Sequence, residues 1–160
     1  MIKNIIFDWS GTLSNDLVPV YNATMITFEK MGARKISLDE YQREFELPYM
    51  NFYKKYIPNI DKEKQDKIFL DAIHSVEEPK PFPHAKQTLE HLLRKGIRMA
   101  ILSSHPQKKI EKEINDYGFS KFFVCTKGSV YDKTETISEI MHRCEFEPKE
   151  TAYVGTWFMT

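Results

Sequence analysis

The sequence predicts an α/β protein, a doubly wound parallel sheet with a helical segment inserted after its first strand. Three observations point there. A short isoleucine-rich run, Ile2 to Phe7, ends at an acid, Asp8, and a glycine turn, Trp9-Ser10-Gly11-Thr12. From His84 onward, short apolar runs alternate with helical patterns. Between them, from about Asp16 to Phe82, lies a helix-patterned stretch rich in aromatics. A strand buried on both faces reads as a continuous apolar run, and strands alternating with helices give a parallel sheet with right-handed crossovers.

The inserted segment predicts four helices. Val20, Met25, Phe28 and Met31 share one face of the first, which Gly32 stops. Ser37, with Glu40 three residues on, is a capping box for the second. Pro48 and Pro58 bracket a short third, and Ile68, Phe69, Ala72, Ile73 and Val76 give helical spacing for a fourth. The aromatics are read as packing. Pro79, Pro81 and Pro83 close the segment as a linker would. Then Leu89, Leu92 and Leu93 line a helix ended by Lys95-Gly96. Further strands are expected at Arg98 to Leu102, Lys121 to Cys125 and Thr151 to Val154, and further helices at Gln107 to Tyr117 and Lys133 to Cys144. The domains expected are a discontinuous core, residues 1–15 and 83–160, and a helical cap, residues 16–82.

Charge and composition exclude several classes. Lysine plus arginine and aspartate plus glutamate both number 23, against the basic excess of nucleic-acid proteins. Lys54-Lys55 and Lys108-Lys109 are read as solvated helix faces. No window approaches the roughly 18 apolar residues of a membrane span, and the N-terminal apolar run is too short for a signal peptide. Cys125 and Cys144 have no metal-site or pairing motif, so they read as two reduced thiols of a cytoplasmic protein.

Asp8, Ser103 and the Gly155 turn all fall at the carboxyl ends of expected strands, the edge where open α/β sheets place their ligands. Lys133, opening a helix, is placed to join them. Taken alone, Asp8 also fits a turn, Ser103 a helix cap and Lys133 a surface lysine. His105 is read as a solvent-facing loop residue.

These residues resemble a family. Ile-Ile-Phe-Asp8-Trp-Ser-Gly11-Thr12-Leu13 resembles the first motif of the haloacid dehalogenase superfamily, a hydrophobic strand followed by Asp-x-Asp-Gly-Thr. Ile101-Leu102-Ser103-Ser104 resembles its second motif, Lys133 its third, and Ala152-Tyr153-Val154-Gly155 the lead-in to its fourth, Gly-Asp-x-x-x-Asp. The resemblance implies a Rossmann-like core with a helical cap that closes over the site. It implies a phosphohydrolase in which Asp8 attacks phosphorus to form an aspartyl phosphate. The cofactor implied is Mg²⁺, held by the Asp8 carboxylate and the Ser10 carbonyl. Lys133 would neutralise charge on Asp8 and the phosphate. Ser103, Ser104, Gly11 and Thr12 would hold phosphate oxygens through hydroxyl or backbone N–H groups. The substrate implied is a small phosphorylated metabolite, with no role for nucleic acid or membrane.

Two departures stand out. Ser10 occupies the place of the family's second aspartate, the general acid and base, and a serine hydroxyl does neither well near neutral pH. Asp8-Trp9-Ser10-Gly11-Thr12 is close to the phosphonatase version of the motif, so phosphonate C–P cleavage is a minority alternative. It needs a Schiff-base lysine, for which Lys54 and Lys55 are candidates. The second departure is at the fourth motif, where Thr156-Trp157-Phe158-Met159-Thr160 supplies no acid. Those residues are encoded by ACN, TGG, TTY, ATG and ACN. Read from the third base of a GGG glycine codon, they spell Asp, then Leu, Met or Val, then Val, then His or Tyr, then Asp. The expectation is a frameshift at Gly155, natural, from cloning or programmed. The parent would be longer, and this form C-terminally truncated and inactive or weakened in Mg²⁺ binding. An uncovered sheet edge would then favour self-association. The rival reading from another class is a non-catalytic phosphate- or partner-binding module.

Overall fold

The computed structural model describes residues 1–130 and 133–155, the first three residues of the helix that opens at Lys133 by backbone alone. The expectations for the Lys133 side chain and for the tail from Thr156 lie outside the described residues. Two compact units form, one from residues 1–15 and from residue 80 onward, the other from residues 16–79.

The first unit is built on four parallel strands: β1 (Asn4–Phe7), β4 (Arg98–Leu102), β5 (Phe123–Lys127) and β6 (Thr151–Val154), in the spatial order β5-β4-β1-β6. Register is tight around β1. Phe7 stands opposite Ile101 on one side and Val154 on the other. The two-residue side-chain period sorts the core into two layers. Phe7, Met99 and Ile101 face Ala85 and Leu89 of α5 (Ala85–Arg94) and Ile110 and Ile114 of α6 (Gln107–Asp116). Ile6, Ala100 and Leu102 face Ile137, Ile140 and Met141 of α7 (Lys133–Arg143). The two inner strands, β1 and β4, are thus covered on both faces, as strands of a parallel sheet require.

Three details differ from the expectations. The first strand begins at Asn4, leaving Ile2 exposed. Strand β5 begins at Phe123, because Ser120–Phe122 is a 3₁₀ turn. That turn buries Phe119 and Phe122, three residues apart, in the same cluster. Leu93 is exposed, so Leu89 is the main anchor of α5. A two-residue antiparallel pair, β2 (Ser14–Asn15) with β3 (Lys80–Pro81), was not anticipated and ties together the points where the chain leaves and re-enters the sheet unit.

The second unit holds α1 (Leu17–Lys30), α2 (Leu38–Glu44), α3 (Tyr49–Tyr56) and α4 (Lys62–Ser75). Ser37 accepts the Glu40 N–H at 3.1 Å, while the Glu40 carboxylate turns to Arg34. Asp61 caps α4 by accepting the Lys64 N–H at 2.7 Å. The aromatics pack: Phe28 lies flat against Phe52, and Tyr41 and Tyr53 meet Phe52 edge-on. No described helix is long and apolar enough to cross a membrane.

Cys125 and Cys144 are free thiols, and both belong to the core layer under α7. Burial, and then the neighbouring Cys125, push the Cys144 thiol up to about 11. Sequence spacing gave no hint that the two were neighbours.

Candidate active site

The strand order reverses at β1: the chain runs outward through β4 and β5, then crosses back to place β6 on the other side. Crevices at such switch points, beyond the carboxyl ends of the strands, are the usual ligand sites of open α/β sheets. Asp8 is the residue there. It extends β1, donating its N–H to the Val154 carbonyl at 2.8 Å, and is 2% exposed. One carboxylate oxygen accepts the Trp9 N–H at 2.8 Å. On β6, the Tyr153 phenol is pushed above its ordinary value by burial and by Asp8, to which it is hydrogen-bonded. Gly155 follows, and a Cβ on it would come within 3.2 Å of the Asp8 Cβ and 2.8 Å of the Tyr153 ring. Only glycine lets the chain pass this closely over the acid.

The turn after Asp8 closes on itself. Leu13 and Ser14 both donate to the Trp9 carbonyl at 3.0 Å, and Gly11 occupies the left-handed region at φ 68°. The N–H of Gly11 donates to the Ser14 carbonyl at 2.9 Å, and that of Thr12 to the Trp9 carbonyl at 3.2 Å. The backbone donors expected to cradle phosphate at Gly11 and Thr12 are therefore spent on the turn. The Thr12 hydroxyl is buried with no hydrogen-bond partner, so it is the polar group this residue has to offer a ligand.

Ser103 ends β4 on the strand next to Asp8 and is fully buried. Its hydroxyl accepts the His105 N–H at 3.2 Å, which leaves its proton to donate. It does not cap α6, whose N-cap is Pro106. Ser104 is exposed. Lys133 opens α7, as expected. The strand ends thus bring together Asp8, Ser10, Ser103 and Gly155.

His105 corrects the sequence reading. Its side chain is only 10% exposed, because the loop after β4 folds inward over the turn. Its Nδ1 lies 3.2 Å from the Ser10 hydroxyl, and its Nε2 faces Glu113 at 3.8 Å with no hydrogen-bond partner. Lys109 is likewise no solvated surface lysine: its side chain is 15% exposed and lies 3.5 Å from Glu113. Burial, and then the Lys109 charge, lower the His105 pKa to about 4. The unfolded chain would take up this proton near pH 6.5, so between about pH 4 and 6.5 the unfolded state binds more protons. Stability contributed here is present above pH 6.5 and lost as pH falls toward 4. At 1.4 kcal/mol per unit the loss is on the order of 3 kcal/mol. Urea midpoints at pH 7 and pH 4.5 should therefore fall further apart in the native protein than in His105→Gln. Equal differences would contradict the burial.

The donors suit Mg²⁺ in kind. Asp8 offers a buried carboxylate and Ser10 a backbone carbonyl, both hard oxygen ligands. No group of three His, Cys, Asp or Glu that could hold a metal occurs among the described residues. Mg²⁺ tolerates such a sparse set, since it keeps several waters and takes further oxygens from substrate phosphates. The lysines considered for a Schiff base give no support to that chemistry. Lys54 is exposed, and bonding to Glu46 raises the Lys55 pKa, where an amine nucleophile needs it lowered.

A doubly wound sheet with a buried carboxylate at its switch point defines an α/β protein with its ligand crevice at the end of β1. Residues 5–156 match the model of the haloacid dehalogenase-like hydrolases, and the chain belongs to that family. The comparison with curated proteins returns no match. Among solved structures, a haloacid dehalogenase-like hydrolase from Bacteroides fragilis is similar with a TM-score of 0.82 at 19% identity, over 97% of this chain and 79% of that one. A haloacid dehalogenase-like family hydrolase from Streptococcus pneumoniae gives 0.82 at 19%, over 98% and 77%. CbbY from Rhodobacter sphaeroides, in complex with phosphate, gives 0.76 at 16%, over 96% and 77%. At these identities the likeness is one of fold.

Proposed function

We propose that the protein is a Mg²⁺-dependent phosphohydrolase acting on a small phosphate monoester through an aspartyl phosphate on Asp8. The observation that carries this reading is the placement of the Asp8 carboxylate, buried at the end of the central strand, beside Ser103 and under Gly155. An Asp8 oxygen attacks phosphorus as the P–O bond to the leaving alcohol breaks. Water then attacks the same phosphorus, releasing inorganic phosphate and restoring the carboxylate. Magnesium, held by the Asp8 carboxylate and the Ser10 carbonyl, supplies positive charge against the phosphate when bound. The Ser103 and Thr12 hydroxyls donate to phosphate oxygens, with Ser104 at the exposed rim. Lys133, from the start of α7, neutralises the remaining charge.

The test is hydrolysis of p-nitrophenyl phosphate with Mg²⁺, which EDTA should abolish and added Mg²⁺ restore. Ser10 favours one other reading, a phosphate-binding module that has lost its proton-transfer acid. Phosphate binding without turnover would establish that module and remove the hydrolase.

A further inference from the structure

Trp9 sits between Asp8 and Ser10, and its side chain leaves the site for the core. It is completely buried, stacked on Tyr117 at 5.5 Å with 16° between the rings, and edge-on to Phe119 at 6.5 Å. Packing alone does not fix it. The indole N–H donates to Glu113 Oε2 at 2.6 Å, across 104 positions of sequence. Glu113 is itself 5% exposed, on a helix whose other buried residues are Ile110 and Ile114. A carboxylate is a costly choice at such a place, and a leucine would suit the surrounding cluster better. Its second oxygen, Oε1, faces His105 Nε2 at 3.8 Å and Lys109 Nζ at 3.5 Å. The opposite nitrogen of His105 lies 3.2 Å from the Ser10 hydroxyl.

We propose that Glu113 is a positioning residue for the nucleophile turn, fixing Trp9 through its indole. The residue that follows Asp8 is thereby held by a carboxylate on α6. Asp8 donates its backbone N–H to Val154 on β6, and a short turn follows it. Its carboxylate reaches phosphorus along a fixed line only if that turn does not rock, and small misplacements of a nucleophile are expensive in rate. The proposal rests on the hydrolase reading for its catalytic consequence, and on geometry alone for the clamp. Glu113 touches no substrate, so its loss should appear in kcat rather than KM.

Three variants test it in the whole chain: Glu113→Leu, Glu113→Gln and Trp9→Phe. Glu113→Gln keeps a carbonyl acceptor for the indole, and Trp9→Phe keeps a ring against Tyr117. Indole ¹H–¹⁵N spectra give the first readout, with Trp9→Phe assigning the Trp9 signal. In Glu113→Leu that signal should move upfield together with the Ser10 and Gly11 amides, and in Glu113→Gln it should stay close to the native position. Assayed on p-nitrophenyl phosphate, Glu113→Leu should lose about tenfold in kcat with KM little changed, a loss of the size seen when residues orienting a site are removed. Glu113→Gln should recover most of it. The double variant Trp9→Phe/Glu113→Leu should be no worse than the poorer single. Unmoved signals in folded Glu113→Leu overturn the proposal whether or not the chain turns over. Moved signals with unchanged kcat in an active chain overturn it as well. Moved signals in a chain with no native turnover uphold the clamp and count against the hydrolase reading instead.

Discussion

Asp8→Asn is expected to abolish phosphate-monoester turnover, with a loss of about ten-thousand-fold or more in kcat, the scale on which covalent nucleophiles are missed. An amide oxygen is too poor a nucleophile to attack phosphorus, and no other described carboxylate extends a strand into the switch-point crevice. The substitution is nearly isosteric, and the amide oxygen can still accept the Trp9 N–H now bonded at 2.8 Å. Removing one buried charge beside Tyr153 should leave the melting temperature unchanged or raised. Loss of turnover with an intact fold would therefore implicate the chemistry rather than the scaffold. Acid-quenched protein incubated with ³²P-labelled acetyl phosphate gives the matching readout: label on the native chain and none on Asp8→Asn. Residual turnover above a hundredth of the native rate would remove Asp8 from the nucleophile role.

Arg98–Leu102 and Thr151–Val154 appear with the boundaries the sequence suggested. The first is a continuous apolar run between turns, which has few other ways to be buried, whereas the second is part-exposed and was delimited by the Gly155 turn that follows it. The third strand was displaced because two phenylalanines outside it had their own place under the sheet. The β2–β3 pair is two residues long on each side and leaves no periodicity to read. Helix caps such as Ser37 were legible because they act over three residues.

The site was legible only where its residues sit at strand ends. Asp8 and Ser103 were placed by their strands, and Gly155 by the turn that follows one. His105 and Glu113 were not, and the reason is distance. In the sequence His105 belongs to a Ser-Ser-His-Pro loop, and Glu113 to a run of alternating charges that reads as a solvated helix face. Glu113 meets Trp9 and His105 meets Ser10, each roughly a hundred positions earlier, and Trp9 is itself packed against Tyr117 and Phe119. One signal was available: Glu113 lies three positions from Ile110 and one from Ile114, on the apolar stripe of α6 rather than opposite it. An acid at a stripe position needs a buried partner. Tyr153 was missed for a different reason. An alternating strand would place it on a sheet face, and its reach to Asp8 depends on the chain passing over that acid at Gly155.

Ser10→Asp carries the second large effect, and it is a gain. Ser10 stands in the place of the second aspartate of the motif that the first strand and its turn resemble, and a proton-transferring carboxylate contributes roughly 10²–10⁴-fold in rate. A serine hydroxyl holds its proton too tightly to supply that factor alone. The Ser10 hydroxyl meets His105 Nδ1 at 3.2 Å, so a carboxylate introduced there would have an imidazole as its first neighbour. Two costs oppose the gain. Position 10 is 8% exposed, and a new buried charge costs roughly 1–3 kcal/mol or more unless His105 takes up a proton to pair with it. The turn would also have to admit one more heavy-atom shell beside Trp9. These costs fall on stability, whereas the rate term falls on the transition state, so kcat should rise by roughly a hundredfold or more while the melting temperature drops. Pairing would also raise the His105 pKa and weaken the acid sensitivity set by its burial, a change that urea midpoints at pH 4.5 would detect. A Ser10→Asp chain that folds, binds Mg²⁺ and turns over no faster would show that proton transfer does not limit this enzyme. Turnover in the native chain would then have to draw on a route that bypasses position 10.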